Sequence, residues 1–347
     1  MALKKKYFSS GLKTISSIVR NRITGYKIPL LAYILVTNRC NLNCVYCFSN
    51  ANKTKDLDIP LDRLFSIIDQ LKECGTILIT IGGGEPCLRG DIGEICDYIL
   101  KKGMMVEVVT NGINFEKNLD AMKKIDFLAI SIDGDENAHD KNRGKGSFKV
   151  AVKALELAKE HGIHTRIHAC FSRNTANSLP GLMKISKKYN LKVNIAVPSL
   201  HTDDPLLAFT DDEIREYYSR MKDYKKNGYP VSNSYSTLDF ISKWPGDFGY
   251  VSEKQDSSLP YLPCKRKEFC IYIDADGYAY PCGAVWSKYR FNVFEIGVKK
   301  AFEEFCKVTC TNCIGEAEFN LLFNGSLSSL ANVAEFGLWD RIKDFIK

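Results

Sequence analysis

Between residues 31 and 197, short apolar runs of strand length alternate with stretches of helical periodicity. The runs are Leu31–Val36, Ile77–Ile81, Met105–Val109, Phe127–Ile132, Thr165–Phe171 and Lys192–Val197. The helical stretches cover 61–73, 91–102, 116–123, 147–161 and 178–189. Strands separated by helix-length segments pair in parallel through crossovers, with helices covering the sheet. Six such units predict an α/β fold, either an open sheet or an incomplete barrel. A length of 347 residues suggests roughly two domains. No apolar run reaches the ~18 residues of a spanning helix.

Cysteine usage narrows the chemistry. There are 13 cysteines. Cys40, Cys44 and Cys47 lie close together, and six more fall between 264 and 313. The N-terminus is basic but lacks the continuous apolar segment and small-residue cleavage site of a secretory signal. The expectation is therefore a reducing cytosol, with clustered thiolates as metal ligands. The first cluster, C-x3-C-x2-C, follows directly on the first predicted strand. In α/β barrels that end of the strands carries the chemistry. Structural zinc closes four protein ligands. Three thiolates from one loop instead suit a four-iron cluster with one iron left open. Helical spacing of three buried cysteines is the plainer alternative, but the interleaved Asn41, Asn43 and Tyr46 argue against it.

This loop resembles that of the radical S-adenosylmethionine (SAM) enzymes. Further motifs fall in order across roughly residues 30–200. Gly82-Gly83-Gly84-Glu85-Pro86 resembles the family's GGEP motif, after the second strand. Thr110-Asn111-Gly112 ends the third strand, and Ser131-Ile-Asp133-Gly134 ends the fourth. His139-Asp140 and Arg143 precede Gly144-Lys-Gly146-Ser-Phe148. Each alone reads as an ordinary turn or strand end. The resemblance implies a partial (β/α)6 barrel with a [4Fe–4S] cluster on Cys40, Cys44 and Cys47. It also implies that SAM is cleaved reductively to a 5′-deoxyadenosyl radical, which abstracts a hydrogen atom from a substrate. It assigns Tyr46 to the adenine side. It assigns Gly83, Gly84 and Glu85 to the methionine amino group, and Ser131 to the ribose or carboxylate. Asn111, Asp133, Arg143 and Arg166 are further candidates, Arg166 as a cation for the SAM carboxylate. A flavodoxin- or ferredoxin-type reductant is implied as partner.

Residues 269–282 read as a β-hairpin around an Asp-Gly turn. Cys264, Gly277 and Cys282, followed by Cys310-x2-Cys313, resemble the SPASM and twitch extensions of that family. One auxiliary [4Fe–4S] cluster on Cys264, Cys282, Cys310 and Cys313 is implied, since six cysteines are too few for two fully thiolate-ligated clusters. Cys270 and Cys306 are spare or alternative ligands. A structural zinc site on the same cysteines is the alternative.

The net charge of +7 is confined to the N-terminus. Lys4, Lys5, Lys6, Lys13, Arg20, Arg22 and Lys27 stand among residues 1–27 with no acid, while the rest of the chain is balanced. No nucleic-acid footprint is present. Phe8, Leu12, Ile15, Val19 and Ile23 recur at helical steps over 4–24. This segment packs on the body or makes a peripheral contact with an anionic membrane surface.

An acidic helix is expected at 211–226 with Thr210 as cap, within a connector rich in proline and aromatic residues. Tyr229, Tyr235, Phe240, Trp244, Phe248, Tyr250 and Tyr261 there either pack or line a substrate pocket. Asp276, Glu316 and Glu318 are turn acids or proton acceptors. The domain expectation is 1–30 N-terminal segment, 31–200 barrel, 201–260 connector, 261–325 auxiliary domain and 326–347 amphipathic helix. Small molecules, peptides and lipids all stand as substrates. A non-catalytic iron–sulfur or zinc scaffold is the rival of another class.

Overall fold

The computed structural model describes residues 2–47, 57–196, 209–246, 248, 260, 262–283, 289–308 and 317–325. Six strands run parallel and in chain order: β1 (Leu31–Thr37), β2 (Leu78–Gly83), β3 (Met105–Thr110), β4 (Phe127–Ser131), β5 (Thr165–Cys170) and β6 (Val193–Ala196). Each predicted strand is present. The sheet does not close, so the incomplete-barrel expectation holds.

Helices α2 (Leu61–Cys74), α3 (Ile92–Lys101), α6 (Ser147–Glu160) and α7 (Leu179–Tyr189) form where the 3.6-residue pattern places them. In α2 the pattern buries Leu64, Ile67, Ile68 and Leu71. The helix stops at Gly75, whose φ of 95° is open to glycine and poor for other residues. These helices pack on Ala32, Ile34, Val36, Ile79, Ile81, Val106, Val108, Leu128, Ile130 and Ile167, which share one buried core. The alternate strand residues Tyr33, Thr80, Glu107, Arg166 and His168 therefore face the other way, into the interior of the open barrel. The helix expected at 116–123 is shorter, a 3-10 turn followed by α4 (Leu119–Met122).

α5 (Glu136–Arg143) has no apolar period and was not legible as a helix. It starts because the Asp135 side chain accepts the Ala138 N–H at 3.0 Å. The acidic helix α8 (Asp211–Lys226) matches the expectation, with Thr210 and Glu213 in a reciprocal capping box. It packs with α9 (Tyr235–Ser242). Trp244 and Phe248 are buried in the core, so these aromatic residues serve packing. Tyr250 and Tyr261 lie outside the described residues.

The C-terminal hairpin joins the barrel sheet. β7 (Cys270–Ile273) and β8 (Tyr278–Tyr280) are antiparallel, as predicted, and β9 (Phe291–Asn292) follows. However, β7 pairs in parallel with β1, from Leu31–Cys270 to Ile34–Ile273. The edge of β1 away from β2 needs a partner for its backbone groups, and the hairpin supplies it. The short helices α10 (Arg266–Phe269) and α11 (Val293–Ile296) precede α12 (Val298–Phe305) and α13 (Ala317–Leu322). The Val298 N–H donates to Gln70 Oε1 of α2 at 2.9 Å, so this part is built onto the barrel.

The N-terminal helix α1 (Ala2–Thr24) does pack on the body, but with an unexpected face. Tyr7, Ser10, Gly11, Thr14, Ser17, Ile18 and Asn21 are buried, while Phe8, Leu12, Val19 and Ile23 are exposed. The reason is the surface beneath it. Asp126 accepts the Tyr7 hydroxyl at 2.6 Å and pairs with Lys6 at 3.0 Å. Asn21 donates to the Tyr26 carbonyl at 2.9 Å and to Glu268 at 3.0 Å. Polar partners and small side chains thus decide the docking face. Among the described residues, no helix is long and apolar enough to cross a membrane.

Candidate functional site

The C-terminal ends of β1 and β2 meet through glycine. Gly84 N–H donates to the Thr37 carbonyl at 2.7 Å and Glu85 N–H to the Arg39 carbonyl at 2.8 Å. A Cβ on Gly83 would sit 2.2 Å from the Thr37 oxygen, and one on Gly84 would sit 2.1 Å from the Arg39 oxygen. Only glycine lets the segment after β1 lie this close to the end of β2. That segment carries Cys40, Cys44 and Cys47.

Glu85 is buried and its carboxylate is fully engaged. It accepts Thr110 Oγ1 at 2.7 Å, Asn111 N–H at 2.8 Å and Cys87 N–H at 3.0 Å. Burial pushes the carboxyl up, against the pull of these donors. Its side chain locks β2 to β3. Asn111 then reaches the cysteine loop, its Nδ2 donating to Asn41 Oδ1 at 2.7 Å.

A second clamp holds the other side of the loop. Asp133, buried after β4, takes Arg143 through two bonds at 2.9 and 3.0 Å and accepts the Cys170 N–H at 3.0 Å. It also accepts the Tyr46 hydroxyl at 2.5 Å. Burial alone would raise the Asp133 carboxyl, but Arg143 and Tyr46 hold it below its ordinary value. Val45 N–H donates to the Asn142 carbonyl at 3.0 Å. Asp133 and Arg143 thus position Tyr46 and the loop. Ser131 is buried at the end of β4.

Arg166 lies on β5, beside β4. It pairs with Glu107 at 2.7 Å, on the interior face of β3, and its Nε is buried with no partner among the described residues. The acid was missed because it sits in an otherwise apolar strand. The period-2 alternation puts it on the interior face and is the signal that finds it. Neighbouring His168 and an aromatic stack were missed for the same reason. Tyr33 stacks on Tyr272 at 4.5 Å and Tyr272 on Tyr280 at 5.5 Å, linking β1, β7 and β8.

Burial, then Arg143, pushes His139 down to about 4, and burial, then Arg166, does the same to His168. Both stay neutral in the folded state where the unfolded chain binds protons. Stability is therefore fully present above about pH 6.5 and is lost as pH falls toward about 4. Urea unfolding at pH 7 and pH 5 should show this loss, and His139→Gln should flatten it. Equal unfolding free energies at the two pH values would contradict it.

The three loop cysteines are half-buried, unlike the buried Cys87, Cys96 and Cys170. Burial raises the Cys40 thiol and pushes Cys44 up to about 11. Three accessible thiols on one clamped loop fit an iron–sulfur cluster, whose formation displaces their protons. Among the described residues no three His, Cys, Asp or Glu side chains converge on a single metal ion. Three thiolates fall one protein ligand short of a closed structural zinc site.

Of the later cysteines, Cys264 and Cys282 are buried on either side of the hairpin, while Cys310 and Cys313 lie outside the described residues. Cys270 opens β7 inside an apolar cluster with Ile18, Leu30 and Phe269. Cys306 Sγ donates to the Lys267 carbonyl at 3.0 Å. Asp276 pairs with Arg290, and Glu318 accepts from Asn233 and Ser234, so both have structural partners. Glu316 lies outside the described residues.

The Radical SAM superfamily model matches residues 34–184. The chain is similar to Fe-coproporphyrin III synthase of Methanosarcina barkeri, 29% identical over 46% of this chain and 41% of the relative. It is equally similar to mycofactocin maturase MftC of Mycolicibacterium smegmatis, 29% identical over 54% of this chain and 49% of the relative. The chain thus spans less than half the length of these curated relatives. SuiB of Streptococcus suis, solved bound to precursor peptide SuiA, shares the fold with a TM-score of 0.64 at 15% identity, over 89% of this chain and 75% of that chain.

Proposed function

We propose that the whole chain, whose residues 34–184 match the Radical SAM superfamily model, is an enzyme that cleaves SAM and modifies a peptide. The observation that carries this is the cysteine loop, held at the C-terminal strand ends between the Gly83–Gly84 backbone and the Asp133–Arg143 pair. Cys40, Cys44 and Cys47 would hold an iron–sulfur cluster, which with SAM and an electron would supply radical chemistry able to take a hydrogen atom from a substrate. The backbone at Gly83 and Gly84 receives the methionine amino group. Ser131 takes the ribose or carboxylate side. Tyr46 lies on the adenine side, its hydroxyl fixed by Asp133. Glu85 and Asn111 are positioning residues that keep loop and strand ends in register.

Cys264, Cys282, Cys310 and Cys313 hold one auxiliary cluster in this reading, as electron acceptor for the substrate radical. The electron for cleavage comes from a flavodoxin- or ferredoxin-type protein. The peptide reading is supported by the maturase among the relatives and by SuiB with its precursor peptide. A small-molecule substrate is the second reading, supported by the similar Methanosarcina synthase. A peripheral contact of the basic N-terminal helix with an anionic membrane surface belongs to this reading, supported by the seven basic residues and absence of acids in residues 1–27.

Anaerobic reconstitution followed by iron counting and a 5′-deoxyadenosine assay with SAM and dithionite tests the reading. About eight irons are expected, falling to about four when the three loop cysteines are changed to Ala, and the variant should make no deoxyadenosine. Failure to bind SAM would sink the enzyme and leave the scaffold.

A further inference from the structure

We infer that the outward face of α1 docks the protein on an anionic lipid surface with the cysteine loop pointing away from that surface. This rests on the reading of the N-terminal segment as a membrane contact and assigns its face and orientation. Seven large hydrophobic residues are exposed among the described residues, and four of them are Phe8, Leu12, Val19 and Ile23. Half-buried Ile15 lies between them on the same face. The stripe runs for about 22 Å along the helix. Isolated exposed apolar residues are ordinary, but a continuous stripe marks a contact surface.

Charge decides what covers it. Residues 1–27 carry seven basic residues and no acid. Lys13, Arg20 and Arg22 are exposed beside the stripe. A second copy would bring the same cations face to face. An anionic headgroup layer neutralises them while its acyl region takes the apolar side chains.

The buried face fixes the orientation. Through it α1 meets Asp126, which precedes β4, and Phe269, which precedes β7. Ile18 also shares a cluster with Leu30 and Ile77, ahead of β1 and β2. All these positions are N-terminal strand ends. The cysteine loop follows the C-terminal end of β1, about 20 Å away at the length of a strand. The stripe therefore anchors the protein without feeding a bilayer lipid into the site, and the substrate arrives from the aqueous side.

The test uses the full chain with vesicles of phosphatidylcholine, alone or mixed with phosphatidylserine. Co-sedimentation with the mixed vesicles is expected, with about tenfold weaker partitioning for the Leu12→Glu/Ile23→Glu variant, a change of about 1.4 kcal/mol. Brominated acyl chains should quench tryptophan introduced by Phe8→Trp and leave that from Val45→Trp unquenched. No binding to either vesicle would overturn the membrane reading itself. Binding that ignores the double variant, or quenching at Val45→Trp, would keep the membrane and overturn the assigned face. A solution dimer that the double variant dissociates would assign the stripe to a second copy instead.

Discussion

Asp133→Ala is expected to lower the unfolding free energy by about 3–5 kcal/mol, because it leaves the Arg143 guanidinium buried and unpaired. Side-chain exposure of 9% for Arg143 and 0% for Asp133 means that water cannot take over as partner. The same carboxylate also accepts from Tyr46 and from the Cys170 backbone, so the loss is not confined to one bond. Urea unfolding of the parent and of Asp133→Ala measures it, and Arg143→Met/Asp133→Ala is the control. Removing both charges should recover part of the loss, since the buried cation is then gone. A single variant within about 1 kcal/mol of the parent would show that the pair is solvated and that the loop is held by other means.

Gly84→Ala should act on the cluster more than on the fold. A Cβ 2.1 Å from the Arg39 carbonyl cannot be accommodated by rotating a side chain, because the obstacle is backbone. The segment after β1 must lift from β2, and the bonds from Gly84 and Glu85 to Thr37 and Arg39 are lost with it. Iron retained on the three loop cysteines is expected to fall to near zero, with circular dichroism close to that of the parent. Iron content equal to the parent would mean that the close approach is not what seats the loop. Gly83→Ala, blocked by the Thr37 carbonyl, should behave alike.

The parallel strands and their helices were legible because their signals are local. Six apolar runs and helices such as α2 declare themselves through period and caps. The cysteine loop and GGGEP were legible through spacing. What the sequence did not show depends on partners distant along the chain. The bonds from Thr110 and Asn111 to the Glu85 carboxylate join separate strand ends, which no local motif reveals. The pairing of Arg166 with Glu107 joins residues far apart in the chain, which no spacing reveals. The buried face of α1 was hidden for a related reason. Polar groups such as Asp126 chose Tyr7 and Lys6 over the more apolar stripe, and no periodicity encodes that choice. α5 has no apolar pattern at all and exists through its cap and the buried His139, Asn142 and Arg143.

The pairing of β7 with β1 has a consequence for how the chain comes to be made. β1 ends at Thr37, and the strand that covers its outer edge starts at Cys270. At ribosomal speeds of ~5–20 residues per second, the nascent protein carries β1 with one bare edge for about 10–50 s. During that time a strand interior to the finished sheet is an edge strand, open to pairing with a neighbouring chain. The Cys40–Cys47 loop hangs from that same strand. Pairing with β7 closes the free edge of the strand that leads into the cysteine loop only once residues 270–273 have been made.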